Sequence, residues 1–170
     1  MTSFRAAIAL ACVALVAACG DGSANAGGTT ALTEPQVRAL VEKVEGATYT
    51  DDDRAITEPA LADDLVVTWR TPGEPAQELD KDEFLQDLED TDQEVGGMDY
   101  RYKVGDVRVA ADGQSATAAV AVTEEFDYQG SHVVATSDQV YRIELRDGEP
   151  KIVALEADTT GMTVDGAKQF

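Results

Sequence analysis

At 170 residues the chain has room for one well-buried domain and not for two. Its 33 acidic and 13 basic side chains give a formal net charge of -20, a surface that repels phosphate backbones and so excludes nucleic acid as a partner. With one histidine and two cysteines in the whole sequence, metal sites of the His and Cys kinds are excluded by count, and no cofactor is expected.

The chain opens like an exported protein. Arg5 is followed by an unbroken run of apolar or small residues from Ala6 to Ala18 and then by Cys19. The run is shorter than the roughly 20 residues a membrane-spanning helix needs, and it suits the core of a signal peptide. Val16-Ala17-Ala18-Cys19 resembles the lipobox of bacterial lipoproteins, in which the cysteine thiol is acylated. Residues 1–18 are therefore expected to be a signal peptide. Residues 19–32 are expected to be a lipidated terminus and flexible spacer of Gly, Ser, Ala, Asn and Thr, with Cys19 as the lipidation site that carries palmitate into the bilayer. Cys12 lies within the signal, so no disulfide is expected to hold the mature domain.

Thr33-Glu34-Pro35-Gln36 predicts a helix start, with Thr33 as N-cap, proline in the first turn and Gln36 closing a capping box. Val37, Leu40, Val41 and Val44 follow on one face, and Gly46 marks the stop. Asp51 to Ile56 favours a helix that Pro59 breaks, so short turns are expected through Asp63. Leu65 to Trp69 reads as a strand, and Thr71 to Pro75 as the loop that ends it. Asp80 and Glu83 repeat the capping logic before a helix whose buried stripe is Phe84, Leu85 and Leu88. Carboxylates crowd the stretch from Asp87 to Asp99, yet an EF-hand loop opened at Asp90 would need Gly where Val95 stands and Glu where Arg101 stands. That stretch reads as a solvated loop.

From Tyr100 to Asp158 the apolar residues alternate, with turn signals at Asp112-Gly113, Gly130 and Asp147-Gly148: a four-strand antiparallel meander. Ala116, Ala118, Val120, Val122, Glu124 and Phe126 share one face of the second strand. Val133, Ala135, Ser137, Gln139, Tyr141, Ile143 and Leu145 share one face of the third. In the last strand Ile152 to Leu155 are all apolar, which predicts cover on both faces and a homodimer through the sheet. The single His132 follows a turn, where exposed placement is the ordinary reading.

Helix, broken helix, strand, helix and four antiparallel strands is the order of the nuclear transport factor 2-like superfamily, a cone of helices closed over a curved sheet. Leu61-Ala62-Asp63-Asp64-Leu65-Val66-Val67 and Gly73-Glu74-Pro75 resemble stretches of its ketosteroid isomerases. Phe126-Asp127-Tyr128-Gln129-Gly130, with Val133-Val134-Ala135 and Lys151-Ile152-Val153, is similar to those enzymes and to SnoaL-like proteins. The resemblance implies an α+β domain over residues 33–158, with residues 159–170 left as a tail, and a pocket between helices and sheet. Isomerase chemistry there needs a carboxylate base, a tyrosine and a protonated Asp. On this alignment the base falls at Trp69, the tyrosine near Val44 or Glu45 with Tyr49 a turn further on, and the Asp at Asp138 or Gln139.

With an indole in place of the base, no residue is a firm catalytic candidate. Glu124, Asp138 and Glu156 are the remaining acids of interest, and Trp69, Phe126, Gln139 and Tyr141 are expected to line the pocket or fill it as core. The expected function is a lipoprotein of the bacterial cell envelope displaying a non-catalytic domain that binds a small apolar ligand or another protein. Two alternatives stand beside it: an isomerase, dehydratase or cyclase acting on a hydrophobic carbonyl compound, and a structural dimeric envelope component whose cone is filled.

Overall fold

The computed structural model describes residues 30–50 and 53–170. The expected signal peptide, Cys19 and most of the spacer lie outside the described residues, as do Asp51 and Asp52. Helix α1 (Glu34–Glu45) carries the predicted capping box between Thr33 and Gln36, and Gly46 is its C-cap. Its stripe of Val37, Val41 and Val44 is buried. A Cβ on Gly46 would lie 2.9 Å from the Glu42 carbonyl oxygen and 3.2 Å from the Tyr102 hydroxyl. Glycine therefore lets Tyr102 approach the helix end, where its O–H donates to Glu42 O.

Helix α2 (Asp53–Thr57) runs into a 3-10 turn (Glu58–Ala60), and strand β1 (Leu61–Arg70) begins at once. The strand thus starts four residues earlier than the apolar run from Leu65 suggested. Leu61 and Ala62 are buried while Asp63 and Asp64 face water, and the pairing register with the last long strand shifts between Leu61 and Val66. That irregularity hides the first turn of the strand from a reading by alternation. Strand β2 (Gln77–Leu79) leads to helix α3 (Lys81–Glu94). The Asp80 side chain accepts from Glu83 N at 3.0 Å and the Glu83 carboxylate accepts from Asp80 N at 3.0 Å. Phe84, Leu85 and Leu88 are buried as expected. The acidic stretch after Asp87 is no loop: the helix continues to Glu94, and strand β3 (Gly96–Val109) follows.

Strands β4 (Ser115–Tyr128), β5 (Ser131–Arg146) and β6 (Glu149–Val164) complete the meander, and β7 (Ala167–Lys168) pairs with β6. Two-residue turns join β5 to both neighbours, with φ of 51° and 85° at Gln129 and Gly130 and of 52° and 80° at Asp147 and Gly148. Both are positive-φ pairs of the kind that matches strand twist in tight hairpins. The expected tail, residues 159–170, is largely sheet, because β6 runs on to Val164 and Asp165-Gly166 repeats the same turn.

Among the described residues the sheet has seven strands, in the order β2-β1-β6-β5-β4-β3 with β7 beside β6. All pairings are antiparallel except β1 with β6. The run Ile152 to Leu155 breaks alternation because of a bulge. Ile143 pairs with Ile152 and Arg142 with Ala154, leaving Val153 as an extra residue. The local pattern that predicted two covered faces therefore marks an insertion in the ladder. A second irregularity, between Val104 and Val107 of β3, exposes carbonyls that the Arg38 guanidinium of α1 takes up, at 3.3 Å from Val104 O and 3.1 Å from Gly105 O.

Helix α1 lies against β3 and β4, and α3 against β1. The core sits between them and the inner sheet face, where Val37, Val41, Val67, Ala118, Ile143 and Ile152 are wholly buried. Each large aliphatic side chain there contributes about 1.5–3 kcal/mol by leaving water.

Candidate functional site

The stripe of α1 has one more member than its apolar residues show. Glu45 stands four positions after Val41, on the same helical face, and is only 1% exposed. Two phenols meet it. Tyr100 of β3 donates its O–H to Glu45 Oε2 at 2.5 Å, and Tyr141 of β5 donates to Oε1 at 2.6 Å, lengths typical of hydroxyl donors on a carboxylate. The Tyr141 hydroxyl also lies 3.3 Å from the Gln139 side-chain amide. The atom facing it is Gln139 Oε1, a second and more distant acceptor for the one proton that Tyr141 donates to Glu45.

Burial pushes the Glu45 carboxyl above the usual range, and the two phenol bonds pull it part of the way back. Burial, and then the adjacent Glu45 charge, hold both phenols above the ordinary tyrosine value. Glu124 is the second acid here. It is half-buried on β4, and burial and the Glu45 charge raise its carboxyl while a hydrogen bond from Tyr49 opposes the rise. Tyr49 holds a left-handed backbone, with φ of 57°, and packs edge-on against Tyr100 with ring centroids 5.5 Å apart.

These groups border a cavity of about 20 Å³ whose walls include Trp69, Thr57, Gln139 and Tyr141. That is space for about one water molecule. Thr57 is 1% exposed, and its hydroxyl is the one buried side-chain polar atom left without a hydrogen-bond partner among the described residues.

Of the residues singled out in the sequence, Trp69, Gln139, Tyr141 and Glu124 come together at this cavity. Phe126 does not line it: it is half-buried and lies two residues beyond Glu124 on the same row. Asp138 faces outward and is exposed, since alternation along β5 turns Gln139 inward instead. Glu156 is also turned away, paired with Arg70 at 3.1 Å on the outer face of the sheet. His132 is exposed, 3.2 Å from Asp127 Oδ1 and 3.4 Å from Glu125 Oε1. Among the described residues no group of three or more His, Cys, Asp or Glu side chains is placed to hold a metal ion.

Glu45, Tyr100 and Thr57 were not predicted as site residues. The spacing of Glu45 from Val37 and Val41 was the available signal, because positions 37, 41 and 45 repeat every four residues.

No family model matches the sequence, and no curated protein does. Solved structures do match. A ketosteroid isomerase-like protein from Erwinia carotovora atroseptica aligns at 18% identity and a TM-score of 0.60, covering 75% of this chain and 95% of its own. A nuclear transport factor 2-like protein of unknown function from Silicibacter pomeroyi aligns at 23% identity and 0.55, covering 74% and 93%. A protein assigned as a scytalone dehydratase from Novosphingobium aromaticivorans aligns at 13% identity and 0.59, covering 76% and 85%. The fold is the nuclear transport factor 2-like fold, with helices packed on a curved and mainly antiparallel sheet.

Proposed function

We propose that this protein is a lipid-tethered, non-catalytic component of the bacterial cell envelope whose domain works by contact with other protein surfaces. One observation carries the reading: the polar centre of the cone holds about 20 Å³ of space, whereas sites for small organic ligands run to roughly 300–1,000 Å³. The cone is filled by its own side chains, Glu45 and the phenols foremost. Trp69, which has no acid or base function, stands where the resemblance to ketosteroid isomerases would put the base. For the contact surface we favour the outer face of the sheet and a second copy of the chain, because Val66 and Val140 point outward there at 48% and 45% exposure.

The tether rests on the run from Ala6 to Ala18 and on Cys19. Cells expressing the wild type and Cys19→Ala, grown with labelled palmitate, test it. Label is expected on the wild type alone, and equal labelling of the two overturns the anchor.

A second reading, an isomerase or dehydratase, is favoured by one feature: Glu124 borders the cavity with its carboxyl held above the usual range. A screen of hydrophobic carbonyl compounds against the wild type and Glu124→Gln separates the two. Turnover by the wild type that Glu124→Gln abolishes would replace the non-catalytic reading.

A further inference from the structure

Nothing in helix α1 requires a carboxylate at position 45. Glu45 is the last residue of the helix, where the negative end of the helix dipole disfavours an anion, and burial disfavours the charge further. An aliphatic side chain there would simply extend the stripe of Val37 and Val41. What position 45 meets instead is a pair of convergent donors, one hydroxyl for each carboxylate oxygen.

The donors are set by the sheet and not by the helix. Tyr100 belongs to β3 and Tyr141 to β5, the strands on either side of β4. The Tyr100 ring is braced by Tyr49 and by Tyr102, the latter with centroids 6.4 Å away. Tyr141 is 5% exposed and backed by Gln139. Two hydroxyls held by separate strands and spaced to take both oxygens of one carboxyl group describe a receptor for that group, whichever molecule supplies it.

We infer that Tyr100 and Tyr141, the latter backed by Gln139, form a binding site for a small carboxylate, and that Glu45 is the ligand the chain supplies to itself. The atoms of Glu45 beyond Cβ are those of acetate, a methylene in place of the methyl and then the carboxylate. Removing them while keeping the helix leaves a site of acetate's size and donor pattern beside the existing cavity. The inference builds on the filled-cone reading by naming what fills the centre, and the two fail separately. A negative acetate result leaves the non-catalytic reading in place, whereas substrate turnover would overturn that reading without touching this one.

The test uses the full chain carrying Glu45→Ala, with thermal denaturation followed at neutral pH in sodium acetate against sodium chloride of equal ionic strength. Acetate is expected to raise the melting temperature of Glu45→Ala by about 5 °C at saturation, with formate less effective and benzoate without effect. The wild type, its site already filled, stays unmoved over the same range, and Glu45→Ala combined with Tyr100→Phe and Tyr141→Phe loses the response. A Glu45→Ala curve as flat in acetate as in chloride overturns the inference, and so does an equal rise in the triple variant. Should Glu45→Ala not fold in chloride, its refolding decides: recovery of the folded domain in acetate supports the inference, and no recovery in acetate, or equal recovery of the triple variant, overturns it.

Discussion

The inner face of the sheet has two regions that solve burial in opposite ways. Ile143, Ile152, Val67 and Val41 are aliphatic and wholly buried. Around Glu45 the same helix, with β3, β4, β5 and Tyr49 from the connection after α1, brings together two acids, three phenols and an amide. The aliphatic region depends on volume and tolerates few changes of shape, while the polar region depends on each donor having its acceptor. A fold of this size has no need of the second kind of packing. Its presence makes the Glu45 end of the core depend on matched donors and acceptors.

The largest effect is expected in the aliphatic region. Ile143→Ala removes a wholly buried side chain at the point where β4, β5 and β6 meet. It should lower the unfolding free energy by about 2–5 kcal/mol, measured by urea titration. A loss of under about 1 kcal/mol would erase the contrast between the regions. Next comes Tyr141→Phe, which keeps the ring and takes one of the two donors from Glu45. Its expected cost is about 1.5–3 kcal/mol, and a neutral outcome would mean that the polar region is as tolerant as a surface.

The smallest expected effect is the one most specific to the polar region. Glu45 and Glu124 both have carboxyls raised in the folded state, chiefly by burial. Below the ordinary carboxylate value the folded and unfolded forms are both protonated, and the contribution of these groups is complete. As the pH climbs toward the raised folded values, the unfolded chain loses its protons first, so stability falls. Chemical denaturation should therefore give a more stable domain near pH 5 than near pH 8, with Glu124→Gln flattening part of the slope. A stability that rises over that interval would reverse the assignment.

Much of this fold was legible because its signals are local. Thr33 with Gln36 and Asp80 with Glu83 close their capping boxes within three residues, and the turns at Gly130 and Asp147-Gly148 need only their own backbone. Alternation along β4 and β5 placed Glu124, Gln139 and Tyr141 on the inner face and Asp138 off it. The start of β1 was missed because its pairing is with a strand about ninety residues away, interrupted by a register shift that breaks the pattern. Glu45 was missed for the same physical reason. At the end of a helix, beside Lys43, it reads as a solvated acid, and what buries it arrives from Tyr100 and Tyr141, 55 and 96 residues later. A residue whose partners are that distant carries no local mark beyond its spacing.

One modest contact at the far end of the sheet has a mechanical consequence. Leu32 N–H donates to Gly113 O at 2.7 Å, and a Cβ on Gly113 would lie 2.7 Å from that of Ala31. The first described residues are thus clipped to the connection between β3 and β4. From there to Tyr100 is roughly 30 Å along β3. A force applied to the chain upstream of Thr30 meets the Gln114–Thr30 hydrogen bond and then the Leu32–Gly113 clip. Glu45 and Tyr100 lie toward the opposite ends of α1 and β3 from this clip.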